Sequence, residues 1–252
     1  MKSPLRYPGG KTRAVKHILP YFPQDMKELC SPFLGGGSIE LALASKGVKV
    51  HAYDIFEPLV CFWKNLIRNP EELSKAASMH RHLDKAAFKA LQETLRNSPK
   101  DNIDYAAIFY ALNRSSFSGS TTAGGYSKQA AAKRFTESSI QRIRDFKAKN
   151  ISVAVADFKT SISSHPDAFL YLDPPYLLGK SKENLYGISG STHKGFDHIG
   201  LSKTLKKRDS WILSYNNCPE ILELYKGYIV VYPSWKYGMS SDKTSKEVLI
   251  IK

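Results

Sequence analysis

Short apolar runs alternate with segments of helical periodicity along most of this chain. The runs are rich in β-branched and aromatic residues and end near glycine, proline or an acidic residue, which is typical of buried strands. They cover residues 27–33, 48–53, 151–156, 168–172 and 211–215, and two more, 228–232 and 248–251, could form a closing hairpin. Helical spacing covers residues 11–19, 39–47, 59–67, 71–77, 84–95, 105–112, 197–207 and 219–226. This alternation predicts an α/β fold.

The most informative strand end is the one at Asp173. Apolar residues 168–172 lead directly into Asp173-Pro174-Pro175-Tyr176, and the two prolines stop both strand and helix. The Asp173 carboxylate and the neighbouring carbonyls are therefore held rigidly beside a ring, at the sheet edge where open α/β folds bind ligands. A stiff pair of acceptors beside a ring suits a planar base with an amino group. A strand that ends by chance in an acidic, proline-rich turn is the alternative.

A glycine turn near the amino terminus has only a superficial likeness to a P-loop. The stretch Tyr7-Pro8-Gly9-Gly10-Lys11-Thr12 lacks the glycine that a Walker A motif requires five residues before Gly10, because Leu5 stands there. The sequence instead indicates a tight turn that leaves backbone N–H groups free, with Lys11 at the start of a helix. Such a turn suits a carboxylate or a phosphate.

A strand, a glycine loop and a helix follow over residues 27–47, the arrangement of a cofactor-binding first βα unit. The loop is Gly35-Gly36-Gly37-Ser38, and Glu40 stands where the third glycine of GxGxxG would be. The next strand ends in Asp54, seventeen residues after Gly37. An acid there can accept hydrogen bonds from the ribose hydroxyls of a nucleoside cofactor, so the two features reinforce each other.

Asp157 and Phe158 end another predicted strand and allow two interpretations. An acid and a ring at a strand end could hold the edge and the face of a purine. They could also be a helix N-cap and a core phenylalanine. The residues themselves leave both interpretations open.

The charge of the chain points to a polyanionic partner. There are 37 Lys and Arg against 23 Asp and Glu among 252 residues, a formal net charge of +14. Such an excess favours nucleic acid, with a membrane surface second. No run approaches the ~18 apolar residues that span a bilayer, and the first residues contain no apolar segment of a secretory signal.

Cysteine and histidine usage indicates neither a structural metal nor disulfides. Cys30, Cys61 and Cys218 are far apart and form no CxxC pair. The seven histidines show no HxxxH or similar spacing, so structural or surface positions are expected for them. We therefore expect a reduced, cytoplasmic protein without a metal.

Basic residues are mixed with small and hydrogen-bonding residues between about 113 and 149. They include Arg114, Lys128, Lys133 and Arg134. This mixture suits phosphate contacts together with a loop that enters a DNA groove. For any single residue, a place on a solvated helical insert is the simpler interpretation, whereas the block as a whole fits a DNA-reading subdomain better than a linker.

Several elements, in a fixed order, resemble the Dam-like (D12 class) DNA adenine N6-methyltransferases. They are Pro8-Gly9-Gly10-Lys11, Pro32-Phe33-Leu34-Gly35-Gly36-Gly37-Ser38, Asp54, residues 113–119, Asp157-Phe158 and Asp173-Pro174-Pro175-Tyr176. The last tetrapeptide by itself resembles the catalytic motif of amino-group methyltransferases that use S-adenosylmethionine. The resemblance covers most of the chain and is strongest in the first 60 residues and around Asp173.

The resemblance implies a Rossmann-like methyltransferase sheet that ends in an antiparallel hairpin. The catalytic domain would comprise residues 1–56 and 150–252, and a mainly helical target-recognition domain would be inserted at residues 57–149. The implied reaction transfers a methyl group from S-adenosylmethionine to N6 of an adenine flipped out of a specific double-stranded DNA sequence. A monomer that requires no metal and no membrane is expected.

The resemblance also implies roles for individual residues. Asp173 and the Pro174 carbonyl would accept the two amino hydrogens, and Tyr176 would stack on the adenine. Tyr7, Gly10 and Lys11 would hold the methionine end of the cofactor, and Phe33, Gly35 and Gly37 would line the loop that binds it. Asp54 would bind the ribose. Asp157 and Phe158 would bind the adenine. DNA contacts would come from Arg114, Lys128, Lys133 and Arg134.

One position departs from the family's pattern. The family usually has an acid before the Pro-Phe of the glycine motif, where this chain has Ser31, and the loss of that acid puts cofactor affinity in question. Methylation of cytosine N4 or of RNA are alternatives within the enzyme class, although cytosine-N4 members tend to have serine at the position of Asp173. A DNA-binding relic without catalysis is an alternative from another class, and the intact Asp-Pro-Pro-Tyr and Gly-Gly-Lys argue against it.

Overall fold

The computed structural model of the chain describes residues 2–97, 101–177, 195–234 and 247–252, which form a seven-stranded sheet covered by helices. The strands are β1 (Glu28–Ser31), β2 (Lys49–Asp54), β3 (Ile151–Val155), β4 (Phe169–Leu172), β5 (Trp211–Asn216), β6 (Ile229–Val231) and β7 (Glu247–Ile251). The helices are α1 (Val15–Ile18), α2 (Ser38–Ala44), α3 (Glu57–Arg68), α4 (Pro70–Ser78), α5 (Lys85–Asn97), α6 (Ile103–Ser115), α7 (Lys128–Arg134), α8 (Glu137–Arg144), α9 (Phe158–Ser164), α10 (His198–Lys206) and α11 (Pro219–Leu224).

The apolar runs predicted the strands correctly, with ends that differ by at most two residues. The prediction of a helix over residues 11–19 that ends before Pro20 was wrong. Regular α-helix is confined to Val15–Ile18, and Pro20 lies inside a 3-10 segment, Leu19–Tyr21. Proline is tolerated there because the first N–H groups of a short helix have no partner within it.

The order of strands across the sheet is β3-β2-β1-β4-β5-β7-β6. The pairs β1–β2, β2–β3, β1–β4 and β4–β5 are parallel, whereas β7 runs antiparallel to both β5 and β6. The predicted closing hairpin is therefore confirmed. The chain moves outward from β1 to β3 and then crosses to β4 on the other side of β1, which creates a switch point between β1 and β4 where a crevice opens.

The antiparallel strand changes which residues reach this crevice. Parallel strands present their carboxyl ends at the crevice edge, but an antiparallel strand begins there. Glu247, the first residue of β7, is paired with Asn216, the last residue of β5. The chain near its end therefore supplies a side chain to the same edge as the loops after β1 and β4.

Between β2 and β3 the described chain is helical. Helix α6 is almost wholly buried and packs against α3 and α4, while α3 also packs on β2 and β3. One continuous apolar core joins these helices to a face of the sheet, with Trp63 of α3 beneath the glycine loop. The division into a catalytic domain (1–56 and 150–252) and an inserted domain (57–149) stays a prediction.

No helix among the described residues is both long enough and apolar enough to cross a membrane.

Candidate active site

A cavity of about 580 Å³ lies at the switch point. Its walls are the amino-terminal turn, the segments that follow β1, β2, β3 and β4, and the first residue of β7. The structure brings together in this cavity all the residues predicted to be catalytic or cofactor-binding, namely Tyr7, Gly10, Lys11, Phe33, Gly35, Gly37, Asp54, Asp157, Phe158, Asp173, Pro174 and Tyr176. Their individual roles stay predictions.

The Asp173 carboxylate is bound by the ammonium group of Lys11. The Lys11 Nζ atom lies 2.7 and 2.8 Å from the two Asp173 oxygens, distances typical of charge-assisted hydrogen bonds. Nζ also donates to the Tyr176 hydroxyl at 2.9 Å, and that hydroxyl lies 3.2 Å from Asp173 Oδ1. Burial, and then the Asp173 charge, raise the pKa of Tyr176 well above its usual value, so its hydroxyl is neutral.

The Tyr176 ring is held from one side by Tyr215. The two rings are stacked, with centroids 5.7 Å apart. Tyr215 belongs to β5, next to β4 in the sheet, so the orientation of the Tyr176 ring is set by the sheet and by the two prolines before it.

Glu247 is a functional-site residue that sequence reasoning missed. Its side chain is buried, its Oε2 atom lies 3.4 Å from Lys11 Nζ, and it accepts a hydrogen bond of 3.2 Å from Ser214. Burial raises the pKa of Glu247, an effect that the Lys11 charge opposes and the Asp173 charge increases. No local motif marks this acid, which reaches the site only because β7 is antiparallel.

The amino-terminal turn is closed by its own backbone. The N–H of Gly10 donates to the Tyr7 carbonyl at 3.0 Å, so the expectation that this N–H is free was wrong. A side chain at Gly10 would place its Cβ 2.9 Å from the Tyr7 carbonyl oxygen. The glycine therefore lets the turn close and brings Lys11 back against Asp173.

The glycine loop is packed on both sides. A Cβ at Gly35 would lie 3.0 Å from the Tyr7 ring, and one at Gly37, where φ is +65°, would lie 2.8 Å from the Trp63 ring. The Trp63 Nε1–H donates to the Gly35 carbonyl at 3.1 Å, which holds the loop at the cavity wall. Only glycine fits at Gly37 without displacing a buried indole.

Asp54 supports the same loop. Its two carboxylate oxygens accept hydrogen bonds of 3.0 Å from the backbone N–H groups of Gly35 and Phe56. Burial raises its pKa, while these hydrogen bonds act in the opposite direction. Each oxygen keeps capacity for a second donor, as the predicted ribose contact requires.

The structure shows Asp157 and Phe158 as a helix N-cap and a core phenylalanine, and the purine contact stays a prediction. The Asp157 carboxylate caps α9 by accepting a hydrogen bond of 2.7 Å from the N–H of Thr160, which is also the main cause of its lowered pKa. Phe158 is buried and stacks with Phe33 at 6.2 Å, and Phe196 closes the group at 5.7 Å from both rings. All four residues line the cavity.

The charge of the cavity fits a cationic ligand such as S-adenosylmethionine, which carries a sulfonium and an ammonium group. Among the described lining residues the ammonium of Lys11 faces an excess of carboxylates, namely Glu40, Asp54, Asp157, Asp173, Asp197 and Glu247. The Oε1 atom of Glu247 is buried without a hydrogen-bond donor among the described residues.

Arg114 occupies a position that its predicted role does not favour. Its side chain is buried, its guanidinium donates to the Arg134 carbonyl at 2.6 and 2.9 Å, and it lies over the Tyr110 ring. These contacts tie α6 to the end of α7. Direct DNA contact by Arg114 stays a prediction, but the packing gives this residue a structural task.

The other predicted DNA-binding residues are more accessible. Lys128 and Lys133 are exposed on α7, and Arg134 ends that helix half-buried. The Nη1 atom of Arg134 is buried without an acceptor among the described residues. Arg6, which sequence reasoning did not single out, lies near two of these residues: burial first, and then the charges of Arg134 and Arg114, lower its pKa.

Phe117 stands out on the turn that follows α6. It is 70% exposed and is followed by Ser118 in a left-handed conformation, with φ of 57°. The turn is fixed to the amino terminus by Asn113, whose side-chain N–H groups donate to the carbonyls of Arg6 (2.8 Å) and Gly119 (3.0 Å). The turn that carries the exposed ring is thus bound to Arg6, the residue before Tyr7 of the cavity.

One histidine cluster lies away from the cavity. Ligand atoms of Glu28, His51 and His165 are all within 4.8 Å of one another, the one such group among the described residues. Glu28 and His51 form a hydrogen bond of 2.6 Å, and His165 is hydrogen-bonded to the Tyr53 hydroxyl at 2.7 Å. These contacts already use one ring nitrogen of each histidine. The absence of a metal stays a prediction.

The polar loop of residues 177–198 is long enough that the sequence predicts a substrate-closing lid if it lies over a pocket. Most of it, positions 178–194, lies outside the described residues.

Comparison with known proteins gives a consistent family. Residues 7–239 match the family described as D12 class N6 adenine-specific DNA methyltransferase. The chain is 25% identical to the type II methyltransferase M1.LlaDCHI of Lactococcus lactis subsp. cremoris, over 88% of this chain and 84% of that protein. It is 27% identical to M.MjaIII of Methanocaldococcus jannaschii, over 81% of this chain and 79% of that protein.

A viral relative is similar over its whole length. M.CviBI of Paramecium bursaria Chlorella virus NC1A, also a type II methyltransferase, is 25% identical over 100% of this chain and 99% of its own. The family model matches most of the chain, and the geometry at Asp173 agrees with it, so the family of the protein is established. The chain belongs to the D12 class of N6 adenine-specific DNA methyltransferases, and it is an enzyme that methylates adenine in DNA.

Proposed function

We propose that the protein uses S-adenosylmethionine to methylate N6 of an adenine that is turned out of a specific double-stranded DNA sequence. The observation that carries this proposal is the position of Asp173-Pro174-Pro175-Tyr176. The tetrapeptide lies at the end of β4, in the same cavity as the amino-terminal turn and the glycine loop. When bound, S-adenosylmethionine supplies a methyl group on positively charged sulfur, an electrophile for a nitrogen lone pair.

The cofactor would be held by residues of four loops. The methionine end would meet Tyr7 and Lys11, the ribose would meet Asp54, and the adenine would meet Asp157 and Phe158. The excess of carboxylates in the cavity supports binding of a cationic molecule. The glycines that line the cavity allow the cofactor to approach the backbone closely.

Asp173 and Pro174 would do their work by orientation and charge. With the two N6 hydrogens bound by the carboxylate and the Pro174 carbonyl, the nitrogen lone pair points out of the plane toward the methyl donor. The Asp173 charge would also stabilise the positive charge that develops on N6. Tyr176, fixed by Tyr215, offers a ring against which the base can stack. No covalent intermediate with the protein is needed.

DNA would be held by the basic residues around α7 and the amino terminus. Lys128 and Lys133 are exposed, and the pKa of Arg6 is lowered by burial and then by the nearby charge of Arg134. A phosphate between these guanidinium groups would relieve their repulsion. Phe117, exposed on a turn that is hydrogen-bonded to the amino terminus, would fill the space that an extruded base leaves in the helix. We expect a monomer in the cytoplasm.

The test is nucleoside analysis by mass spectrometry after unmethylated DNA is incubated with the protein and isotope-labelled S-adenosylmethionine. We expect label in N6-methyladenine. Label in N4-methylcytosine would keep the cofactor and the fold but overturn the base assignment. Absence of label from DNA, with cofactor binding intact, would reject double-stranded DNA as the substrate under these conditions.

A further inference from the structure

Glu247 is a buried acid of the active-site cavity to which the mechanism above gives no task. It is 4% exposed, lines the cavity, and accepts no hydrogen bond at Oε1 from the described residues. Burial of a carboxylate is costly unless a cation or several donors compensate it. The contacts of Glu247 with Ser214 and Lys11 are long, 3.2 and 3.4 Å, and Tyr176 adds a further interaction, but Oε1 is left without a donor among the described residues.

Lys11 holds the carboxylate that the reaction needs. Its Nζ atom contacts both oxygens of Asp173, at 2.7 and 2.8 Å. Each Asp173 oxygen can accept a second donor, but an ammonium in contact with both oxygens neutralises much of the carboxylate charge. Asp173 would therefore bind the amino group and stabilise a positive charge on it more strongly if Lys11 were drawn away.

Glu247 is the group that can draw it away. Nζ lies between Asp173 and Glu247, and a movement of about 0.6 Å toward Oε2 would shorten the 3.4 Å separation to the usual length of a charge-assisted hydrogen bond. Oε1 is open to the same donor. The Ser214 hydroxyl, on β5, donates to Oε2 and fixes the carboxylate at the end of its own strand.

We propose that Glu247 is a positioning residue for methyl transfer, which takes the Lys11 ammonium over from Asp173 when the target base binds. Lys11 and Glu247 then form a buried neutral pair. The charge of Asp173 is released to face the amino group and the positive charge that develops on it. This inference rests on the proposed function of the same site.

The decisive experiment is a double-mutant cycle of Glu247→Gln and Lys11→Met, read by single-turnover methylation of a target duplex. Glutamine keeps the size and the acceptor for Ser214 but cannot neutralise an ammonium. We expect Glu247→Gln to lower the single-turnover rate by about 10- to 100-fold. The dissociation constants for cofactor and for DNA should change by less than about threefold.

The cycle separates action through Lys11 from an independent role. In the Lys11→Met background, Glu247→Gln should change the rate by less than about threefold, because the ion to be moved is absent. Multiplicative losses would overturn the proposal, and so would a cofactor dissociation constant that rises more than tenfold, which would make Glu247 a cofactor ligand. Glu223→Gln, which removes an exposed acid of α11, is the matched control and should leave the rate unchanged.

A structural measurement does not depend on turnover. In a crystal structure of the wild-type protein with target duplex and a non-reactive cofactor analogue, Nζ should lie within about 3.0 Å of a Glu247 oxygen and no longer contact both Asp173 oxygens. Nζ still on both oxygens with the base in the cavity would overturn the proposal. Wild-type protein that methylates no DNA would reject the proposed function and this inference together, whereas an active wild type with an unimpaired Glu247→Gln variant rejects only the role of Glu247.

Discussion

Ser31 donates a hydrogen bond of 2.6 Å to the buried carboxylate of Glu40, so two departures from the expected sequence patterns meet in space. Ser31 stands where the family usually has an acid, and Glu40 stands where GxGxxG would have a glycine. The carboxylate of Glu40 lines the cavity from α2 and thus restores an acid beside the position from which one is missing. The departure at Ser31 therefore does not leave this wall of the cavity without an acidic side chain.

Glu40 contributes to the pH dependence of stability. Burial raises its pKa from 4.5 to about 7, against the opposing hydrogen bond from Ser31. Between these two values the folded state binds more protons than the unfolded state, so the free energy of unfolding falls as pH rises through this window and is flat above it. The shift corresponds to about 3 kcal/mol at most.

Glu40→Gln should remove that slope. The test is denaturant unfolding of both proteins without ligand from pH 5 to pH 8. We expect the advantage of the variant over the wild type to grow with pH up to about 7 and then to stay constant. A difference between the two proteins that does not change with pH would contradict the assignment.

Asp173→Ala should abolish turnover and leave cofactor binding largely intact. Loss of a preorganised charge that faces a developing charge typically costs about 100- to 1,000-fold in rate. Single-turnover rates and equilibrium binding of labelled cofactor, measured on the same preparations, separate the two effects. Asp209→Ala, at an exposed position before β5, is the control. Equal loss of binding and turnover would reject the role given to Asp173.

DNA affinity should fall steeply with salt, and Lys128 and Lys133 should each contribute to the slope. Each phosphate contact that is lost lowers the slope of log K against log salt by about 0.9. Lys133→Ala should therefore reduce the slope by about one and weaken binding to all sequences alike. Lys226 is exposed just after α11, far in sequence from α7, and Lys226→Ala should leave the slope unchanged. A slope that changes with neither Lys128→Ala nor Lys133→Ala would exclude α7 from the DNA interface.

Phe117→Ala should impair base extrusion more than DNA binding. A duplex with 2-aminopurine at the target position reports extrusion by a rise in fluorescence. We expect the rise to be reduced severalfold by the substitution, because a ring that fills the vacated stack is lost. Met79→Ala, which removes another exposed apolar side chain, serves as the control. An unchanged rise in fluorescence would rule out this use of the ring.

Gly37→Ala should destabilise the fold more than Gly47→Ala, although both glycines have positive φ. At Gly37 the added Cβ would lie 2.8 Å from the buried Trp63 ring, whereas at Gly47 nothing lies within 4 Å. We expect losses in the free energy of unfolding of about 2–4 kcal/mol for Gly37→Ala and about 1 kcal/mol for Gly47→Ala. Urea unfolding measures both, and equal losses would show that the indole yields.

Local patterns in the sequence were enough to find the strands and the loops that follow them. A buried strand requires an apolar run, and a tight turn requires glycine or proline, so both leave a mark within a few residues. Asp54, Asp157 and Asp173 were therefore recognised as acids at strand ends, and the order of the motifs identified the family. The reliance on local pattern also explains why the helix predicted over residues 11–19 is longer than α1. Around Pro20 the pattern does not distinguish a turn from a helix.

The partners of those residues were decided by tertiary structure alone. Lys11 meets Asp173 across 162 residues of chain, and Glu247 joins them because β7 is antiparallel. No local pattern in the sequence predicts either contact, because strand order and strand direction depend on how whole elements pack against one another. The burial of Arg114 is likewise decided by the tertiary structure, in which this basic residue binds the Arg134 carbonyl and ties α6 to α7. The sequence by itself determined which chemistry is present at the sheet edge, and the packing of the sheet decided which charges face one another there.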